Sequence, residues 1–261
     1  MLYLSTVGAS TGNEKLRKTR DAWGKSYGKT VHIASFNLPA IRSCPGSTAT
    51  CRKLCYADDG RFRMPGPRDV RLHNHLMIKR MIGLSNPVPA LANAIYGTLR
   101  LWIDRKMRSH ESGGNGDLSF LIRIHDSGDF FHRDYCRAWG EAWDALSQDA
   151  QTNSVELRGY AYTKSLHFLS SLESLFGSEN FSMIQSEETR WNYLIDWDKP
   201  TAKIFATGED ALSSGYVNGW KDDTAAIKGE RRIGLSYHGT KSIASARETL
   251  ECGGARLVEV A

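Results

Sequence analysis

Three of the five cysteines in this chain lie within one short segment. Cys44, Cys51 and Cys55 belong to the stretch SCPGSTATCRKLCYADDG, residues 43–60, whose Pro, Gly, Ser and Thr residues are typical of a loop. Clustered thiolates in such a loop are the donors that proteins use for zinc and for iron-sulfur clusters. We therefore interpret residues 43–60, called the cysteine loop below, as a metal-binding segment.

The spacing of the thiols favours a 4Fe-4S cluster over zinc. Six residues separate Cys44 from Cys51 and three separate Cys51 from Cys55, whereas structural zinc sites usually pair two short cysteine knuckles. Glycines and hydroxyl residues would let backbone N–H groups reach the sulfides of a cluster. The negative charge of the cluster would be offset in part by Arg42, Arg52 and Lys53. A zinc site and thiols without any metal remain the alternatives.

Three thiolates supply one ligand fewer than a cluster bound by cysteine alone requires. Cys252, in the segment LECGGA, is the candidate for a fourth metal ligand. Without it, another protein group, water or a small ligand would complete the fourth iron. Cys136 lies in a segment with the apolar spacing of a helix, and we interpret it as a small hydrophobic residue that packs in the core. Because the cysteine count is odd and no export signal is visible, structural disulfides are not expected.

Strand and helix patterns alternate around the cysteine loop. Helical patterns cover 67–82, 87–107 and 132–150. Strand patterns cover 30–39, 118–131, 154–165, 180–188, 202–210 and 231–239, with 255–261 as a further candidate. About six β/α units predict an α/β fold, a partial (β/α)6 TIM-like barrel with mostly parallel strands. We expect a single domain over residues 1–261, in which residues 1–29 form an N-terminal extension.

In β/α barrels the functional site is built from loops at the carboxyl ends of the strands. The cysteine loop follows the first predicted strand, and the segment HDSGD follows the second. Asp126 or Ser127 in HDSGD could instead cap the next helix, and His125 is interpreted as a core histidine. Further candidates at later strand ends are Lys164, Glu209 and His238.

The cysteine loop resembles two known families. The stretch CRKLCYA resembles the cysteine loop of radical S-adenosylmethionine enzymes, although those enzymes typically show C-x3-C-x2-C spacing. The stretch FNLPAIRSCPGSTATCRKLCYA, together with IRIHDSGDFF and AYTKS, resembles more closely the phage-encoded gene product 88 family. These matches cover most of residues 30–165.

The resemblance to radical enzymes implies an open iron that binds S-adenosylmethionine. It further implies that the loop after the second strand contacts this cofactor through Asp126, Ser127, Gly128 and Asp129. The protein would then be an enzyme with an unknown substrate, unidentified catalytic residues and an unknown reductant. The alternative is a fully ligated, non-catalytic cluster that serves redox sensing or nucleic-acid binding.

Charge is distributed unevenly along the chain. Residues 1–110 carry 19 Lys and Arg against 6 Asp and Glu, whereas residues 111–261 carry 15 against 23. The basic N-terminal part predicts an anionic partner such as nucleic acid or a nucleotide, with a solvated basic face as the alternative. No apolar run approaches the length of a membrane span. We expect a cytoplasmic protein, in the host cytoplasm if it is phage-encoded.

Overall fold

Helices alternate with strands in the computed structural model, which describes residues 1–8, 12–58, 60–114, 116–239 and 241–258. The strands are β1 (Ser5–Thr6), β2 (Thr30–Phe36), β3 (Leu118–Ile124), β4 (Glu156–Thr163), β5 (Phe181–Ser186), β6 (Thr201–Phe205), β7 (Val217–Asn218) and β8 (Arg232–Ser236). The helices are α1 (Glu14–Tyr27), α2 (Ala49–Lys53), α3 (Pro65–Ile82), α4 (Pro87–Glu111), α5 (Arg133–Thr152), α6 (Glu173–Gly177), α7 (Gly208–Ser213), α8 (Thr224–Lys228) and α9 (Ile243–Val258). None of these described helices is long and apolar enough to cross a membrane.

The strands form one mostly parallel sheet. Their order is β1-β2-β3-β4-β5-β6-β8-β7, so the central strands follow one another in chain order. Only the short β1 pairs antiparallel, with β2. The predicted α/β class with mostly parallel strands is therefore confirmed. Within the described ranges no pairing joins the two edges of the sheet, and closure into a TIM-like barrel stays a prediction.

Apolar side chains cover both faces of the sheet, as expected for parallel strands. Because successive residues of a strand alternate between faces, Phe120 and Ile122 of β3 pack with α4 and α5, on what we call the α4/α5 face. Leu121 points the other way and packs with α1 and α8, on the α1/α8 face. The carboxyl ends of the strands consequently lie between two packed layers.

The N-terminal segment, expected as an extension, contributes elements to this fold. Asn13 caps α1 by accepting hydrogen bonds from the first backbone N–H groups of the helix. Leu16 and Trp23 of α1 are buried in the core of the α1/α8 face. Strand β1 therefore extends the sheet, and α1 helps to form one of its covering layers.

The strand suggested at residues 255–261 is wrong where the structure describes it. Helix α9 continues through Val258, and residues 259–261 lie outside the described residues. Ala246 and Thr249 are both buried, three positions apart. This spacing places them on one face of a helix, which explains why the apolar run at the end of the chain continues that helix.

Candidate functional site at the cysteine loop

The three thiols of the cysteine loop lie close to one another and to the end of β3. Cys44, Cys51 and Cys55 are half-buried and form no disulfide. Burial raises the pKa of the Cys44 thiol, and the charges of Asp129, Cys51 and Cys55 raise that pKa further. Burial and the charge of Cys51 also raise the pKa of Cys55. Cys44 and Cys55 therefore stay protonated near neutral pH unless a cation replaces their protons.

A short helix orients the middle of the loop. The side chain of Thr48 caps α2 by accepting a hydrogen bond from the backbone N–H of Cys51 at 3.1 Å. The guanidinium of Arg52 donates to the hydroxyl of Ser47 at 3.0 Å. Leu54 is buried and anchors the end of the helix. The glycine-rich and hydroxyl-rich composition of this segment thus produces a defined turn rather than a loose one.

The loop after β3 lies directly against the cysteine loop. The backbone N–H of Leu38 donates to the carbonyl of Ser127 at 3.0 Å, and the N–H of Asp129 donates to the carbonyl of Ser43 at 3.1 Å. Between them, Gly128 has a φ of +83. A Cβ at Gly128 would lie 2.6 Å from both the Leu38 Cβ and the Ser43 hydroxyl. The close approach that this glycine allows is therefore to the chain itself.

The loops after β4 and β5 hold the other side of the cysteine loop. The carbonyl of Gly46 accepts the backbone N–H of Arg190 at 3.3 Å. A Cβ at Gly46 would lie only 2.0 Å from the carbonyl oxygen of Lys164. That oxygen also accepts the hydroxyl of Thr189 at 2.6 Å. Three strand ends thus fix the position of the cysteine loop, which agrees with its predicted place among the strand-end loops.

Asp129, a predicted cofactor contact, is buried and already has several donors. Its Oδ1 accepts from the N–H of Phe130 and from the hydroxyl of Thr163, both at 2.8 Å, and its Oδ2 accepts from the N–H of Lys164 at 2.9 Å. Burial raises the pKa of Asp129 to about 6, although these hydrogen bonds oppose the shift. A carboxylate offers about four acceptor positions, so most of its capacity is used to join β3 to β4.

Asp126 connects the cysteine loop to the α1/α8 face. Its carboxylate accepts from the Asn13 side chain at 2.6 Å and pairs with the Arg123 guanidinium at 3.2 Å. The hydroxyl of Tyr56, the residue after Cys55, donates to the Asp126 backbone carbonyl at 2.5 Å. The structure therefore places Asp126 beside the thiol loop, as predicted. Contact of Asp126, Ser127, Gly128 and Asp129 with a cofactor stays a prediction.

A buried charged network next to Asp126 was not predicted from the sequence. Asp223 is fully buried and binds the Lys15 ammonium at 2.7 Å and the Arg123 guanidinium at 3.0 Å. It also accepts from the hydroxyls of Tyr160 at 2.9 Å and Tyr162 at 3.2 Å. Burial alone would raise the pKa of Asp223, but the charges of Lys15 and Arg123 lower it to about 2. This cluster therefore remains ionised inside the protein.

The strand pattern contained a signal for this network. Arg123 interrupts the otherwise apolar segment LSFLIRI, and it lies two residues from Leu121, hence on the α1/α8 face. Tyr160 and Tyr162 show the same spacing of two in the neighbouring strand. A charged residue on a buried strand face requires a partner. The identity of that partner, Asp223, is 100 residues away and had no local signal.

Two further predicted residues lie near the loop but make mainly structural contacts. The ring of His238 is 4.6 Å from the ring of Tyr56, so the end of β8 approaches the cysteine loop. The ammonium of Lys164 donates to the backbone carbonyls of Glu187 and Glu188, the latter at 3.3 Å. Lys164 thus ties the ends of β4 and β5 together.

The remaining predicted residues lie apart or in the core. Glu209 is exposed on α7, and Cys252 is exposed on α9, a helix that contacts α2. Cys136 is fully buried on α5, as predicted. His125 is also buried, and its Nε2 lies 2.9 Å from the hydroxyl of Tyr135. The interpretation of His125 as a core histidine is therefore confirmed.

The described part of the cysteine loop contains no preformed metal site. In the parts of the chain that the structure describes, no group of three or more His, Cys, Asp or Glu side chains is arranged to hold a metal ion. Metal binding at the cysteine loop stays a prediction.

Comparison with known proteins identifies relatives of this chain. The family described as Gene product 88 matches residues 6–258. The Gene 88 protein of Mycobacterium phage L5 is 32% identical over 136 residues, which cover 48% of this chain and 52% of that relative. The chain thus spans about half the length of the L5 protein. The Gene 88 protein of Mycobacterium phage D29 is 27% identical over 234 residues, 84% of this chain and 89% of that relative.

These relatives support the predicted bacteriophage origin and give no support to a resemblance to radical S-adenosylmethionine enzymes. No solved structure matches the chain. The family match extends from β1 to the end of α9 and includes the cysteine loop, the loop after β3 and the buried network. The chain therefore belongs to the gene product 88 family.

Proposed function

We propose that this protein is an iron-sulfur protein whose cysteine loop holds a 4Fe-4S cluster through Cys44, Cys51 and Cys55. One observation carries the proposal: three half-buried thiols that form no disulfide lie in a loop that three strand ends hold in place. Thiolates are the usual ligands of such clusters. Because the loop is braced by backbone hydrogen bonds, its thiols need little ordering before they bind.

The spacing of the thiols along the chain favours a cluster over a single zinc ion. Six residues separate Cys44 from Cys51 and three separate Cys51 from Cys55, whereas structural zinc sites usually pair two short cysteine knuckles. In the described residues no three His, Cys, Asp or Glu side chains are arranged to hold an ion, so the assignment to a cluster rests on this spacing and on the composition of the loop.

Positive charge next to the loop also supports this assignment. Arg71 is 6% exposed, and burial lowers the pKa of its guanidinium, while the charges of Asp126, Asp58 and then Cys55 oppose this shift. Arg71 also lies 3.5 Å from the hydroxyl of Ser127. A buried guanidinium beside a ligand thiolate would offset part of the negative charge of a 4Fe-4S centre. Sequence reasoning named Arg42, Arg52 and Lys53 for this role and missed Arg71, because the approach of Arg71 depends on the packing of α3.

Substitution of single cysteines tests the proposal. The full chain, purified without oxygen, is expected to contain iron and sulfide and to lose both in Cys51→Ser. The control Cys252→Ser removes an exposed thiol outside the loop. Loss of the cluster in Cys51→Ser alone supports binding by the loop, and loss in both variants indicates a fully cysteine-ligated, non-catalytic centre. An unchanged cluster in Cys51→Ser contradicts the proposal.

A second candidate function is a radical S-adenosylmethionine-type enzyme, favoured by the connection between the loop and the buried network. Tyr56 follows Cys55, and its hydroxyl lies 3.4 Å from the Arg123 guanidinium. If the cluster has an open iron, these polar groups beside it could orient a bound substrate. S-adenosylmethionine bound at that iron would supply a carbon radical on reduction.

This second candidate has its own test. Reduced, cluster-loaded protein is incubated with S-adenosylmethionine and assayed for 5'-deoxyadenosine, with Cys252→Ser in parallel. Dithionite serves as the reductant because the natural one is unknown. Product formation together with a changed electron paramagnetic resonance spectrum supports the enzyme. An unchanged spectrum and no product contradict the enzyme and leave the cluster proposal standing.

A further inference from the structure

A cleft of about 300 Å³ lies beside α3, lined by that helix and by residues just before the cysteine loop and just before α5. Its lining residues are Arg42, His75, Leu76, Lys79 and Phe131. This volume is at the small end of the range for pockets that bind small molecules, which is about 300–1,000 Å³. The cleft shares no lining residue with the thiols or with Asp223, so it is a separate site.

Two cations in this cleft lack counterions. Among the described residues, neither the Arg42 guanidinium nor the Lys79 ammonium has an ion pair or a side-chain hydrogen bond. Both positive charges act on His75, whose pKa is lowered first by burial and then by Lys79 and Arg42. The two cations therefore face the same small volume, where an anion would interact with both.

The wall of the cleft contains a polar atom without a partner. His75 is 5% exposed, and its Nδ1 has no hydrogen-bond partner within the described part of the chain. This nitrogen is itself inaccessible to solvent, so the His75 ring contributes to the wall of the cleft without offering Nδ1 to a ligand. The His75 ring contacts the Phe131 ring at 4.8 Å, and Leu76 is 56% exposed. The cleft therefore combines two cations with an apolar surface.

We propose that this cleft binds a nucleoside monophosphate, with its phosphate between Arg42 and Lys79 and its base against Phe131 and Leu76. A phosphate monoester carries nearly two negative charges and strong acceptor oxygens, which match two unpaired cations. A flat base matches an aromatic ring and a neighbouring apolar side chain. Neither the 4Fe-4S proposal nor the family match assigns this site, and it does not depend on the cluster.

Calorimetric titration of the full chain with adenosine monophosphate tests the site. Lys79→Ala is expected to weaken binding about tenfold, because it removes one charge-assisted contact to phosphate. The matched control Arg80→Ala removes the same charge from the next residue of α3, which is exposed and does not line the cleft. It is expected to change the affinity less than about twofold. His75→Ala, a second cleft variant, is expected to weaken binding as well.

Three further ligands separate the sources of binding. Inorganic phosphate and adenosine should each bind more weakly than adenosine monophosphate, because each makes only part of the contacts. Absence of saturable binding of the nucleotide, equal weakening by Lys79→Ala and Arg80→Ala, or equal affinity for adenosine overturns the proposal. A single-stranded oligonucleotide without terminal phosphates that binds more tightly through Lys79 would also overturn it, in favour of a nucleic-acid strand.

Discussion

At the scale of single residues, the site depends on a close contact between the cysteine loop and the loop after β3. Gly128 has a left-handed backbone and leaves no room for a Cβ against Leu38 and Ser43. The adjacent Asp129 uses its backbone N–H to bind the cysteine loop and its carboxylate to bind β4. These two residues therefore determine where Cys44 lies.

Replacement of Gly128 tests this contact. Gly128→Ala is expected to destabilise the protein by about 2–4 kcal/mol, because the new methyl group clashes and the left-handed conformation disfavours alanine. Gly97→Ala is the matched control, since Gly97 is exposed in α4 with nothing near a new Cβ. Gly97→Ala is expected to stabilise by about 0.5–1 kcal/mol. Urea unfolding measures the free energy of unfolding of both variants. Equal changes in the two variants would contradict the close contact at Gly128.

His125 gives a prediction for pH dependence. Burial, and then the charge of Arg123, lowers the pKa of His125 from 6.5 to about 3. Between these values the unfolded chain binds more protons than the folded one, so stability is lost as pH falls from about 6.5 towards 3. Asn tolerates the positive φ of 65 at this position. His125→Asn is expected to flatten this part of the stability curve.

Unfolding free energies at several pH values from 7 to 4 provide the measurement. His238→Asn is the control, because His238 is exposed. Asp129 titrates in wild type and in both variants, so its contribution cancels in the differences. If the two substitutions change the pH dependence equally, burial of His125 is not its cause.

At the scale of elements, the buried network joins α1, β3 and β4 to the start of α8. Lys15 comes from α1, Arg123 from β3, and Tyr160 and Tyr162 from β4, and all four bind Asp223. The backbone N–H of Asp223 donates to Thr19 of α1 at 2.9 Å. One carboxylate therefore positions both helices that cover the α1/α8 face.

Removal of this charge is expected to be costly. Asp223→Asn leaves Lys15 without its counterion and Arg123 with Asp126 alone, and a buried pair that loses one partner costs about 3–5 kcal/mol. Asp198→Asn, which removes an exposed carboxylate paired with Arg231, should cost less than about 1 kcal/mol. Thermal or urea unfolding distinguishes them. If both substitutions lower the free energy of unfolding by similar small amounts, then solvation by water, and not Asp223, stabilises the charges of Lys15 and Arg123.

The sequence predicted the central elements better than the connections between them. Each of the six predicted strand segments overlaps a strand, because alternating or continuous apolar residues are a local signal. The packing of α1 into the fold was missed, since its contact with Asp223 joins residues 208 positions apart. The strand suggested at 255–261 was wrong for residues 255–258, which belong to α9, because a short apolar run fits a helix equally well.

For the candidate site, as for the fold, the sequence predicted which segments meet but not the contacts between their side chains. The order of the strands alone predicted that HDSGD lies next to the cysteine loop, and the structure confirms this contact. The hydrogen bonds by which the Asp129 carboxylate joins β3 to β4 could not be predicted, because the donors, Thr163 and Lys164, come from another strand end. Arg71, His75 and Lys79 were read only as part of a basic segment, since their separate surroundings depend on how α3 packs.

At the scale of the whole molecule, the excess positive charge of the first 110 residues has several distinct uses. Lys15 is neutralised inside the protein by Asp223, and Arg71 lies beside Cys55. Arg42 and Lys79 face the cleft that we assign to a nucleotide. The predicted anionic partner therefore has a specific candidate position, next to the loop that would carry the cluster.

Mössbauer spectroscopy of the full chain, enriched in iron-57 and kept free of oxygen, tests the central proposal most directly. With three loop thiolates as ligands, we predict about four irons and four sulfides per chain in a 4Fe-4S spectrum. Cys51→Ser, prepared in parallel, should lose this spectrum. A chain that contains no iron after reconstitution, or that holds one equivalent of zinc at the loop, would contradict the account.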